Sequence, residues 1–108
     1  MDVEAALKAL VEPRRRAILT LVRDEELSAG EIARQFEVTR PAISQHLTVL
    51  KEAGLVSERR DGTRRFYRAR PEGLRELQRF LEQFWAESLQ RLKAAAEWEE
   101  RRKRRGAK

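Results

Sequence analysis

Apolar positions recur at helical spacing along most of this chain, with one interruption. Over residues 2–11 they fall at Val3, Ala6, Leu7, Leu10 and Val11, steps of three and four that mark one side of a helix. Asp2 suits the capping position before it. Pro13 biases Glu12 toward extended backbone and breaks that helix. The same proline suits the first turn of a second helix over 13–23, whose apolar stripe is Ala17, Ile18, Leu21 and Val22. Asp24-Glu25-Glu26 is a polar connection, and Leu27 anchors the chain after it.

From Ser28 to Gly54 the pattern predicts two helices joined by a tight turn. Ser28 and Glu31 have the S-x-x-E spacing of a capping box. Ile32, Ala33 and Phe36 then make one apolar side. The chain turns at Glu37-Val38, and Thr39 can cap the second helix. Ile43, Leu47 and Leu50 share one face of it. The other face carries Arg40, Ser44, Gln45, Thr48 and Lys51, all able to donate or accept hydrogen bonds. Gly54 stands where a left-handed residue closes a helix. This is the pattern of a helix-turn-helix.

After Gly54 the period shortens to two. Residues 55–60 and 64–69 are strand candidates, and Asp61-Gly62 between them is a strong hairpin signal. In a regular strand Phe66 and Arg68 point one way, Arg65 and Tyr67 the other. Arg59, Arg60, Arg64 and Arg65 flank the tip, more cationic charge than a solvated hairpin needs. The hairpin is therefore expected to be a wing that meets phosphate or a groove. Pro71 opens a last helix running to about Glu100, with Leu74, Leu77, Leu81, Phe84, Trp85, Leu89, Leu92 and Ala96 at three- and four-residue steps. At 1.5 Å per residue it is roughly 40 Å long, more apolar stripe than so small a domain covers. Part of it must fold back on its own domain, and the rest calls for a partner, most economically a second copy. The fold class expected is mainly α with a small β-hairpin. Residues 1–70 form a winged helix-turn-helix DNA-binding domain, 71–100 its dimerisation helix, and 101–108 a basic, disordered tail.

Charge sharpens this outline. The chain's 108 residues carry a net +6, and residues 101–108 alone supply six positive side chains with no acid. Within the rest, residues 40–70 are net +5 while 1–39 are −2 and 71–100 are −3. Positive potential is thus concentrated on the second motif helix and the hairpin, which points to a polyanion. The terminal run RRKRR can add nonspecific attraction to nucleic acid or simply solvate the chain end. Arg14, Arg15 and Arg16 fan over about 200° of helix and cannot all meet one ligand. They are expected to be solvated, with an ion pair or two, or to give one phosphate contact.

Catalytic chemistry finds little support. There is no Cys, so disulfides, thiolate metal sites and Cys nucleophiles are all absent. His46 is the one histidine. It is expected either to hydrogen-bond within the helix packing or to touch base or phosphate. A metal ligand is the poorer assignment, because transition-metal sites need several nitrogen or sulfur donors. No Gly-rich phosphate loop is present. An enzyme, a cofactor and a metal site are not expected. With no long apolar run and no secretory h-region, a cytoplasmic protein is.

The segments ALVEPRRRAILTLV (9–22), LSAGEIARQFEVTRPAISQHLTVLKEAGLV (27–56) and RRDGTRRFYR (59–68) resemble the ArsR family of winged helix-turn-helix bacterial repressors. The block SQHLTVLKEAGLV at 44–56 is the most specific part. The resemblance covers about two thirds of the chain. It implies a homodimer, joined through the last helix, that represses transcription and releases DNA when a signal arrives. The family's metal sensors carry Cys-x-Cys where this chain has Ser28 and Gly30, and their other common site pairs carboxylates with histidines along a last helix that here has no His. The resemblance therefore implies a metal-independent member whose inducer is unidentified.

The expected mechanism lays residues 40–52 in a major groove. Arg40 can read guanine and Gln45 adenine, while Ser44, Thr48, His46 and Lys51 contact base or backbone. Arg59, Gly62, Thr63, Arg64 and Arg65 of the wing meet phosphate or the adjacent minor groove. Two subunits joined through Leu74, Leu77, Leu81, Phe84, Trp85, Leu89 and Leu92 present recognition helices about 34 Å apart, hence an inverted-repeat operator on double-stranded DNA. Two alternatives stand beside this: a winged helix used for protein–protein contact, and a metal-responsive repressor with an oxygen-ligand site.

Overall fold

A computed structural model describes residues 2–106. Its elements in order are α1 (Val3–Val11), α2 (Pro13–Leu21), β1 (Leu27–Ser28), α3 (Ala29–Ala33), α4 (Arg40–Glu52), β2 (Val56–Asp61), β3 (Arg64–Ala69) and α5 (Pro71–Gly106). The chain falls into two units that part between Leu77 and Gln78.

In the first unit the helix starts are set by side chains. Asp2 accepts from the Ala5 amide at 3.2 Å, and Glu12 from the Arg14 amide at 2.8 Å. The Ser28 hydroxyl oxygen accepts from the Glu31 amide at 3.1 Å, and Thr39 from the Ala42 amide at 3.3 Å. The Ser28–Glu31 pair departs from the usual reciprocal box. Ser28 Oγ donates to the Glu31 carboxylate at 3.0 Å, and Ser28 itself lies in β1, opposite Phe66 of β3. α3 is shorter than its apolar pattern suggested. After Ala33 the amides of Gln35 and Phe36 bond the carbonyls three residues back, a tightening that ends the helix before Phe36.

α4 closes as expected. Gly54 adopts φ +77°. Its amide bonds the Lys51 carbonyl and that of Leu55 bonds Leu50, each at 3.0 Å. This 6→1 and 5→2 pairing satisfies carbonyls that a helix end otherwise leaves bare.

The sheet has three antiparallel strands in the order β1-β3-β2. β1 was not expected; its two residues are too short a run to carry a period. The hairpin turn lies one residue later than the Asp61-Gly62 signal suggested. Asp61 pairs with Arg64, so the two-residue loop is Gly62-Thr63. Gly62 takes φ +63° and no non-glycine residue has a positive φ among those described, as a turn of type II′ requires.

The core gathers Ile18 and Val22 from the second helix, Ile32 from α3, Ile43, Leu47 and Leu50 from α4, and Leu55 and Val56 entering the wing, all essentially inaccessible. Tyr67 and Ala69 add the inner face of β3. The α1 stripe is corrected. Ala6 and Ala9, three residues apart, make the buried contact, while Leu7 is partly exposed and Val11 74% exposed. On α2, Ala17 is exposed and the buried stripe narrows to Ile18, with Val22 buried at the C-cap.

α5 begins in the first unit, where Gly73 and Leu77 are buried and Leu74 packs half-buried against the core. Leu74 and Leu77 of the expected dimerisation set thus pack against the core of the first unit. In the second unit, described by itself, Leu81, Phe84, Trp85, Leu89 and Leu92 are exposed, joined by Phe80 and Trp98. Phe80 and Phe84 stack with centroids 6.2 Å apart. The expected disordered tail is helical as far as Gly106. Glu99–Arg102 and Glu100–Arg104 pairs at 2.6 and 2.9 Å, three and four residues apart, supply helix-stabilising contacts that a count of like charges overlooks. Ala107 and Lys108 lie outside the described residues.

Candidate nucleic-acid interface

Each residue of α4 is turned about 100° from the last, so burying Ile43, Leu47 and Leu50 aims the opposite side outward. That side carries Ser44, Gln45 and Thr48, all exposed. Gln45 lies nearly opposite the core stripe, with its amide free to project. Thr48 Oγ1 donates to the Ser44 carbonyl at 2.9 Å, leaving its methyl and lone pairs facing out. Val49 lies beside these residues, 38% exposed. It is an apolar position the polar pattern hid, and it suits a thymine methyl. Arg40 is exposed on the first turn, behind the Thr39 cap.

His46 is half-buried instead of facing out. Its Nδ1 lies 3.4 Å from Arg15 Nη1. Arg15 also donates through Nε to the Ala9 carbonyl at 2.6 Å and through Nη2 to that of Lys8 at 3.3 Å. Arg16 reaches Leu10 and Val11 carbonyls at 2.6 and 3.0 Å. Two of the three successive arginines thus cover the bare carbonyl end of α1, where cations are favoured. Arg14 stacks over the Phe36 ring at 5.5 Å. These residues hold the helix-turn-helix in place, and the packing role of His46 is the one its contacts support.

The wing is tied down by carboxylates. Arg59 grips Glu26 in a bidentate pair, with Nη2 to Oε1 at 2.6 Å and Nε within 3.1 Å of both oxygens. That guanidinium bond holds the Glu26 carboxyl below the ordinary range and raises Arg59 in return. Arg64 bonds Glu31 at 3.1 Å. Both arginines also flank the outward Phe66 ring, at 4.8 and 4.9 Å. Lys51 lies 3.6 Å from Glu58, which accepts from the Tyr67 hydroxyl at 3.0 Å. Burial pulls Glu58 upward, but the Tyr67 hydrogen bond and the Lys51 and Arg65 charges outweigh it and leave its pKa lowered. Lys51, Arg59 and Arg64 are therefore on the expected surface, but each has a partner already.

Gly62 and Thr63 form the wing tip. Thr63, Arg64 and Arg65 face Arg34 and Arg40 across a cleft of about 280 Å³ beside Ser28 and Gly30. The sequence pattern did not single out Arg34, Val49, Glu26 or Glu31 for this surface. Glu31 was legible only as a cap, and the Glu26–Arg59 and Glu31–Arg64 pairs each span 33 residues, beyond any local signal. Among the described residues no group of three or more His, Cys, Asp or Glu side chains is arranged to hold a metal ion. None of the helices described is long and apolar enough to cross a membrane.

The profile of the "Bacterial regulatory protein, arsR family" matches residues 12–58, which run from the start of α2 into the wing. The chain is 46% identical over 86 residues to the HTH-type transcriptional regulator Rv2034 of Mycobacterium tuberculosis, covering 80% of each chain. It is 42% identical over 60 residues to the transcriptional repressor SdpR of Bacillus subtilis, covering 56% of this chain and 67% of that one. Among solved structures, an ArsR-like transcriptional regulator from Rhodococcus sp. RHA1 superposes with a TM-score of 0.75 at 35% identity, over 85% of this chain and 87% of that one. With the helix-turn-helix, wing and outward polar face all present, the chain belongs to the arsR family of bacterial regulatory proteins and is a DNA-binding transcriptional regulator.

Proposed function

We propose that the chain acts in the cytoplasm as a homodimeric repressor that lays one α4 per subunit in a major groove and blocks a promoter. The observation that carries this is the outward side of α4. Gln45, Ser44 and Thr48 stand exposed on a helix whose other side is locked into the core. Arg40 is one turn N-terminal to Ser44, in reach of a guanine edge, and Gln45 is suited to adenine. The cationic wing supplies phosphate contacts. The exposed stripe from Leu81 to Leu92 supports pairing of two copies, and two recognition helices one duplex turn apart imply an inverted repeat. The similarity to SdpR, which is named a repressor, supports the sign of regulation.

The test is a gel shift on the DNA upstream of the protein's own gene across a range of salt. The expected result is a retarded complex whose log affinity falls linearly with log salt. Its footprint should be a two-fold symmetric pair of half-sites. A complex with one half-site, or a protein that ignores this and all other duplexes, contradicts the proposal.

A further inference from the structure

The cleft between α3, the start of α4 and the wing tip gathers four guanidinium groups, Arg34, Arg40, Arg64 and Arg65, and no acidic side chain lines it. Like charges brought together in a concave site repel one another and focus positive potential there. The nearby carboxylate is Glu31, whose Oε1 takes Ser28 Oγ–H at 3.0 Å and Arg64 Nη2 at 3.1 Å. A serine hydroxyl and a guanidinium already converge on one anionic oxygen. That is the donor set a phosphate oxygen takes. One carboxylate stands against four cations, and the volume greatly exceeds the roughly 30 Å³ of a single water.

We infer that this cleft is a seat for one phosphate-type oxyanion, with Glu31 as an internal competitor that holds Arg64 until the anion arrives. Arg34, Arg64 and Arg65 hold the anion, Arg34 being a cation that the helix-turn-helix pattern does not assign, while Arg40 adds positive potential at the rim and keeps its base-edge role. The anion can be a phosphodiester of the duplex or free inorganic phosphate. The duplex source rests on the function proposed above; the free-anion source does not.

The test uses the full chain and its E31Q and R34Q variants. E31Q removes the charge but keeps an acceptor for Ser28 Oγ. R34Q loses only an exposed bond to the Gly30 carbonyl. A thermal melt of each checks that the fold is kept. Inorganic phosphate is titrated at constant ionic strength against chloride, following the amide signals of Ser28, Gly30 and Thr63. In parallel, duplex binding is followed by fluorescence anisotropy from low to high salt. The expected result is tighter binding by E31Q, about fivefold for removing one nearby like charge, and weaker binding by R34Q with a salt slope smaller by about one.

A response in the duplex titration alone assigns the seat to backbone phosphate. A response in the phosphate titration alone assigns it to the free ion, and does so even if the wild type ignores DNA. If the wild type binds duplex and both variants match it in both titrations, the seat is overturned while the DNA function stands. If nothing binds either probe, both fall.

Discussion

Arg15 shows how a residue can be plain in the sequence while its role is not. Three arginines in a row look like solvated charge or phosphate ligands. In the folded chain Arg15 is a clasp, donating to the Lys8 and Ala9 carbonyls and lying 3.4 Å from His46. The bonds join α1, α2 and α4, and nothing within a few residues of Arg15 encodes them. His46 was legible as either packing or contact residue, and its Arg15 neighbour, 31 residues away in sequence, favours the packing role. Arg15→Ala strips the Lys8 and Ala9 carbonyls of their side-chain donor, leaving Arg16 alone on the carbonyl end of α1. It should lower unfolding free energy in urea by about 1–3 kcal/mol, the range for charge-assisted hydrogen bonds. Arg14→Ala loses a partly exposed ring contact and should cost less than about 1 kcal/mol. Equal costs would remove the clasp.

At the scale of elements, the helix-turn-helix was readable because its signals are local. The Ser28 and Thr39 caps, the Ile43, Leu47, Leu50 stripe and the Gly54 stop act within one or two turns. The wing was half readable. Its strands and glycine are in the sequence, but the turn position depends on pairing register and β1 exists only because β3 lies beside it. The ties between wing and helices are likewise long-range. They carry a pH dependence. The pKa values of Glu26 and Glu58 are lowered from the usual 4.5, so their ionised forms favour the folded state. That contribution is complete above pH 4.5 and is lost as pH falls through the lowered values. The Tyr67 pKa is raised from 10.0, by burial first and then by its bond to Glu58. Its neutral form stabilises the fold below pH 10 and that share is lost as pH climbs through the raised value. The thermal midpoint should therefore decline below pH 4.5, and Glu58→Gln should reduce the steepness of that decline. An acid slope identical in the variant would remove Glu58 from the account.

At the scale of the whole molecule, the sequence separated two surfaces by charge and by apolar period. The basic segment 40–70 became the outward side of α4 and the wing. The last helix divided instead of acting as one stripe. Leu77 is buried in the first unit and Leu74 half-buried against it, whereas Phe84 and Trp85 are 55% and 61% exposed. Periodicity alone cannot mark where a helix leaves its own core, because both parts keep the same spacing. Large exposed aromatics on one helix are a liability unless covered. Phe84→Asp places a charge in that stripe. It should shift the protein from dimer to monomer in sedimentation while leaving the melting of the first unit nearly unchanged. A wild-type protein that sediments as a monomer at every concentration would contradict pairing through this stripe.

The claim beneath all of this is that the outer side of α4 touches base edges. Its most direct test is selection of bound sequences from a random duplex pool by the wild type and by Gln45→Ala. The prediction is one inverted repeat for both, with preference relaxed at a single position in each half-site, corresponding to about 1–3 kcal/mol. Identical preference profiles, position by position, would contradict it.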